Sequence, residues 1–160
     1  EDSYGVIYLD DVISGNFVAT VKVKQFGEDV SEWFRAGIFV RNDIAQSTEA
    51  EKGSKGAFLL FSTPKRIGAQ WDEFGGGSMH NTKSDNYNRE EPFPVWLKLV
   101  RHGNKFDGFY SFDGVTWLLA RSSGQVPDLA EKMDIGLAGG SNDQRPSNVV
   151  FEDFKLDIED

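Results

Sequence analysis

The chain has no cysteine, only five prolines, two histidines and two methionines in 160 residues. Without thiols there are no disulfides, no thiolate nucleophile and no cysteine-ligated metal centre. The two histidines, His80 and His102, fall in separate turn-like segments with no metal-ligand spacing between them. No apolar run approaches the ~20 residues that span a bilayer as a helix, so membrane insertion is not expected. The opening Glu1-Asp2-Ser3 carries neither the basic nor the apolar region of a secretory leader, so an exported form is expected to have lost its leader already. Basic residues are outnumbered, 17 against 26 acidic, for a formal charge of -9. That field repels a phosphate backbone, which makes nucleic acid an unexpected partner. A nucleophile elbow, a glycine-rich phosphate loop and an HExxH sequence are all missing. So is any sustained helical stripe.

What the chain does have is aromatic residues and turns: 13 phenylalanines and 17 glycines. The stretch Trp96 to Trp117 reads as three short strands separated by His102-Gly103-Asn104 and Asp113-Gly114, pairs that accept the positive φ of tight hairpins. Alternation of period two recurs elsewhere. Phe17, Ala19, Val21 and Val23 interleave with Val18, Thr20, Lys22 and Lys24, and Ala36, Ile38 and Val40 with Arg35, Gly37, Phe39 and Arg41. Further strands are predicted at Val6 to Leu9, Gly56 to Ser62, Ile67 to Asp72, Val95 to Arg101, Lys105 to Ser111, Trp117 to Arg121, Met133 to Ala138 and Asn148 to Ile158. About ten strands in one domain spanning 1–160 fit an all-β, two-sheet antiparallel sandwich. Three polar segments, Asn42 to Lys55, Phe74 to Pro94 and Gly139 to Ser147, read as long loops, and Asp128 to Glu131 as one helical turn. Trp96 and Trp117 stand among apolar neighbours and are assigned to the core.

Several segments together carry a resemblance. They are Gly15-Asn16-Phe17-Val18-Ala19-Thr20-Val21, Arg35-Ala36-Gly37-Ile38-Phe39-Val40-Arg41, Pro94-Val95-Trp96-Leu97-Lys98-Leu99-Val100-Arg101 and Tyr110-Ser111-Phe112-Asp113-Gly114-Val115-Thr116-Trp117, followed by Ile135-Gly136-Leu137-Ala138 and Val150-Phe151-Glu152-Asp153-Phe154. Nearly the whole chain resembles the concanavalin A-like or laminin-G-like jelly rolls of bacterial secreted polysaccharide-processing proteins, levanase-type modules among them. Such domains begin with a further strand, of which this chain is expected to carry only part. The resemblance implies a secreted, extracellular or cell-surface, non-catalytic module that binds a polysaccharide or oligosaccharide on its concave sheet and rim loops, joined to other modules of a larger protein.

Sugars offer an apolar CH face ringed by hydroxyls, which suits aromatic platforms beside charged or amide groups. On that chemistry the expected ligand residues are Arg35, Phe39 and Arg41 on one strand face, Gln70, Trp71 and Asp72 on another strand, and His80 and Tyr87 from the long loop. Trp71 is in phase with Ile67 and Ala69 and reads equally well as core. Arg35 and Arg41 read equally well as partners of surface carboxylates, worth about 0–1 kcal/mol each. A glycoside hydrolase or lyase is the alternative function, needing two carboxylates about 5–10 Å apart. Lys155-Leu156-Asp157-Ile158-Glu159 fails as such a motif, the adjacent pairs Asp10-Asp11 and Glu90-Glu91 are expected to point to opposite strand faces, and Asp72 with Glu90 remains as a split pair. A protein-contacting structural or adhesion domain is the third reading. Calcium is the expected cofactor if there is one, held by acidic residues near the two ends of the chain: Asp2, Asp11 and Asp153.

Overall fold

Inward residues of period two pair with inward residues of the neighbouring strand, and the sequence supplies enough of them for two sheets. In the computed structural model, residues 3–45, 56–76, 79, 81–87, 93–141 and 148–159 are described. Their eleven strands are β1 (Ser3–Ser14), β2 (Phe17–Phe26), β3 (Arg35–Arg41), β4 (Phe58–Ser62), β5 (Arg66–Trp71), β6 (Asn81–Asn86), β7 (Val95–His102), β8 (Lys105–Ser111), β9 (Leu118–Gln125), β10 (Lys132–Ser141) and β11 (Val149–Ile158). The six-stranded sheet runs β1-β10-β3-β4-β5-β6 and the five-stranded sheet β11-β2-β7-β8-β9, antiparallel throughout. No helix occurs among the described residues.

Between the sheets lies an aromatic core. Phe58 stacks on Trp71 and on Phe106, at centroid separations of 5.7 and 4.9 Å, and Phe106 meets Phe17 edge-on. Aliphatic residues from both sheets, among them Val21, Ile38, Leu60, Leu97, Leu99 and Ile135, complete it. A second, smaller cluster of Phe39, Ile44, Ala57 and Ala138 lies apart from this core.

Four expectations need correction. The polar segment after Phe74 contains a strand, β6, whose backbone pairs with β5 from Arg66↔Asn86 to Trp71↔Asn81. It is an edge strand, and its polar sequence suits an edge that meets solvent and must not recruit another sheet. Asp128 to Glu131 forms no helical turn. Asp128 takes φ +60°, and the Asn42 side chain satisfies this backbone by donating to the Asp128 carbonyl and accepting from Ala130 N–H. Asp113-Gly114 is not a two-residue hairpin. Residues 112–117 form a wider loop in which one Asp113 carboxylate oxygen accepts from Val115 N–H, Thr116 N–H and the Ser111 hydroxyl. Those donors, the two backbone amides first, hold the Asp113 carboxyl far below the usual carboxylate range. Finally, Trp96 and Trp117 lie outside the core. Val95, Leu97 and Leu99 take the inward positions of β7, so Trp96 faces out opposite Lys22, whose ammonium sits 5.2 Å from its ring. Lys98 likewise covers Trp117 at 4.4 Å.

Candidate functional site

The outer face of the six-stranded sheet gathers the polar groups. Pairing register sets it out in rows. One row holds Tyr8, Gly136, Phe39, Leu59 and Gln70; the next holds Val6, Ala138, Gly37, Phe61, Gly68 and Ser84. Beyond these, Gly140 pairs with Arg35 at one end and Asp134 with Arg41 at the other. Two positions of the second row, Gly37 and Gly68, have no room for a side chain. A Cβ on Gly37 would meet the Leu60 carbonyl, and one on Gly68 would meet the Lys83 carbonyl and the Phe61 ring. The Arg35 guanidinium lies over that ring, 5.3 Å from its centroid.

The end of this face near Arg35 is cationic and aromatic. In the β4–β5 hairpin the Thr63 hydroxyl accepts from the backbone N–H of Lys65 and of Arg66, fixing a tight reversal. Arg66 places its guanidinium 4.2 Å from the centroid of Trp33, a ring that remains 43% exposed. Trp33 is held by its own N–H, which donates to the Ser31 hydroxyl. Lys65 pairs with Glu32 at 2.9 Å, and that contact holds the Glu32 carboxyl below its ordinary value.

The opposite end is acidic. Register shifts by two residues between Leu9↔Ile135 and Ile13↔Met133, and the resulting bulge carries Asp10 and Asp11, the latter at φ +49°. The fully buried Asp134 meets them there. Its two carboxylate oxygens accept from Asp11 N–H and Ile44 N–H, both at 2.8 Å. One oxygen from each of Asp10, Asp11 and Asp134 lies within 4.8 Å of the others. A hydrogen bond with Asp134 and its charge, with smaller contributions from Asp11 and Asp43, raise the proton affinity of Asp10 above that of an ordinary aspartate. The adjacent aspartates thus converge, against the expectation that they point apart, because a bulge breaks the alternation.

Of the residues singled out in the sequence, Arg35, Phe39, Arg41 and Gln70 do share this face. Arg35 and Gln70 are half-buried, whereas Phe39 and Arg41 are buried, Phe39 beneath Ile44 and Met79 of the second cluster. Trp71 does not join them. It is 8% exposed and packs inward on Phe58, following the phase of Ile67 and Ala69. Asp72 is a loop clamp: its carboxylate accepts from Gly56 N–H and Gly76 N–H. Tyr87 packs against Phe93 and Phe112 at the margin of the core. Asp153 occupies a bulge in β11, on the other sheet from Asp11, because the first and last strands belong to different sheets. His80, Asp2 and Glu90 lie outside the described residues. Sequence reasoning passed over Trp33, Arg66 and Asp134. Asp134 had a usable signal, being two residues before Gly136 and so on the same face, while Trp33 belongs to a connection with no periodicity.

No family model matches the sequence, and no curated protein matches it. Among solved structures, a functionally unknown protein from Saccharomyces cerevisiae shares 17% identity, with 99% of this chain and 75% of that chain covered and a TM-score of 0.69. The metal-free exoplasmic/lumenal domain of VIP36 shares 14%, with 99% and 76% covered, at 0.62. The GH43 protein BlXynB from Bacillus licheniformis shares 19% at 0.55; the match covers 88% of this chain but 27% of that one. With two antiparallel sheets of six and five strands, these likenesses show the fold of this chain to be the concanavalin A-like β-sandwich.

Proposed function

We propose that the protein is a non-catalytic carbohydrate-binding module that receives a polysaccharide or oligosaccharide along the outer face of the six-stranded sheet. The observation that carries this reading is the gathering of polar and aromatic groups on that face: half-buried Arg35 and Gln70 offer hydroxyl-binding groups, and at the end near Arg35 the exposed Trp33 offers ring surface for sugar CH groups, whereas Phe61 is fully buried beneath the Arg35 guanidinium. Lectin domains of this fold support it: one VIP36 structure is described as Ca2+/Man3GlcNAc-bound, at 12% identity and a TM-score of 0.59. The module works in an extracellular or cell-surface setting as one part of a larger secreted bacterial protein.

The acidic end suits calcium. Three carboxylates offer only oxygen donors, and their mutual repulsion, visible in the raised proton affinity of Asp10, is what a hard divalent cation neutralises. Asp10, Asp11 and Asp134 would hold the ion, which would tie the β1 bulge to β10. Asp134 serves backbone amides with both oxygens, an arrangement for positioning rather than acid catalysis.

A screen of plant, algal and microbial polysaccharides by affinity gel, in calcium and in chelator, with chromatography for released sugars, tests the reading. Retention without products is expected, together with a lower melting midpoint in chelator. Released sugars would establish a hydrolase or lyase, and no retention at all would leave a protein-contacting domain. An unchanged midpoint would remove the calcium.

A further inference from the structure

We propose that the Trp33–Arg66–Arg35 end of the outer face is a subsite for a carboxylate-bearing sugar, so that uronate-containing polysaccharides are the preferred ligand class. This rests on the carbohydrate-binding reading and specifies its ligand. The chain carries a formal charge of -9, yet Arg35, Lys65 and Arg66 come together at this end of the sheet, with Glu32 paired to Lys65. A polyanion repelled by the average surface is drawn to such a corner. Arginine is the suitable cation, because its planar fork binds a carboxylate through two parallel hydrogen bonds, which a neutral hydroxyl cannot reproduce.

The geometry supplies the rest of a sugar site. Arg35 on β3 and Arg66 on β5 flank β4, so their strands are separated by two interstrand spacings, about 9–10 Å. Phe61 lies on the intervening strand beneath Arg35. Trp33 stands at the rim with Arg66 over its ring and 43% of its surface in solvent. The exposed part of this ring offers the kind of flat apolar surface that stacks against the CH face of a sugar. One guanidinium thus holds the platform and stands beside whatever docks on it. Lys65, tied to Glu32, keeps the hairpin that carries Arg66 against the connection that carries Trp33.

The test compares polygalacturonate with its carboxyl-reduced neutral counterpart, galactan, by affinity gel and calorimetry. The variants are Trp33→Ala, Arg66→Gln and Arg35→Gln, with Lys155→Ala on the opposite sheet as a control. Polygalacturonate is expected to bind at least about tenfold more tightly than galactan. Each of the three site variants should weaken it by about tenfold at an unchanged melting midpoint, and the preference should shrink as salt is raised. Lys155→Ala should bind as the parent does. Equal binding of both polymers, or a preference that survives Arg66→Gln and Arg35→Gln, overturns the uronate subsite while leaving carbohydrate binding in place. Failure of every polysaccharide in the wider screen overturns both. Should Trp33→Ala perturb folding, Trp33→Phe retains a ring and is expected to keep most of the binding.

Discussion

Phe58→Ala is expected to lower the free energy of unfolding by about 3–5 kcal/mol, a large part of the 5–15 kcal/mol typical of a domain. Phe58 is fully buried and stacks on two other rings, Trp71 and Phe106, one from each sheet. Truncation therefore removes transfer free energy and leaves a cavity between elements that cannot close over it. Gly124 already brings the β9 backbone against the Phe58 ring, since a Cβ there would stand 2.6 Å from it. Denaturant unfolding with an unchanged slope is the measurement. A loss below about 1.5 kcal/mol would mean that the sheets settle into the gap, and that Trp71 is not locked in place by its stack.

The second large effect is expected at Asp134. Asp134→Ala leaves two backbone amides, of Asp11 and Ile44, without their buried acceptor, at a cost of about 2–4 kcal/mol after relief of repulsion with Asp10 and Asp11. Asp134→Asn keeps one acceptor oxygen and is expected to lose about half as much. Both variants are to be unfolded in chelator and again in calcium. The loss in chelator reports the hydrogen bonds net of that relieved repulsion, and any additional loss in calcium reports the ion. A wild-type-like Asp134→Ala in chelator would show that the bulge at Asp10 and Asp11 holds without its anchor.

Fold class was legible because period-two alternation is a direct imprint of sheet burial, and ten of the eleven strands had such an imprint. β6 had none, being a polar edge whose pairing is carried by backbone groups that every residue possesses. Site residues divided along the same line. Arg35, Phe39 and Arg41 could be set on one strand face from phase, and Gln70 joins them, whereas Trp71, which phase left open between ligand and core, turns inward with Ile67 and Ala69. Contacts between distant segments left no such trace. Asp11 meets Asp134 across 123 positions only because a two-residue bulge interrupts β1. Arg66 meets Trp33 because a hairpin end and an aperiodic connection happen to share one corner. Trp96 and Trp117 mislead for a related reason: an apolar neighbourhood in sequence describes both faces of a strand at once, and lysine stems can shelter a ring as a core does.

The pairing of β1 with β10 also bears on how the chain emerges during synthesis. Strands β4, β5 and β6, and then β8 and β9, can each pair with their predecessor as they appear, forming two local meanders that start from β3 and β7. Among the described residues β1 pairs with β10 alone, which begins at Lys132. Until Lys132 and the residues after it have emerged, Ile7 and Leu9 therefore wait unpaired, and even in the finished domain Ile7 remains 83% exposed. Closure of this long loop, like that of β2 with β11, is thus deferred until the C-terminal strands have emerged, so its entropic cost is met late. Until β10 has emerged, a nascent chain of this domain presents an apolar strand to chaperones or to a neighbouring ribosome's product.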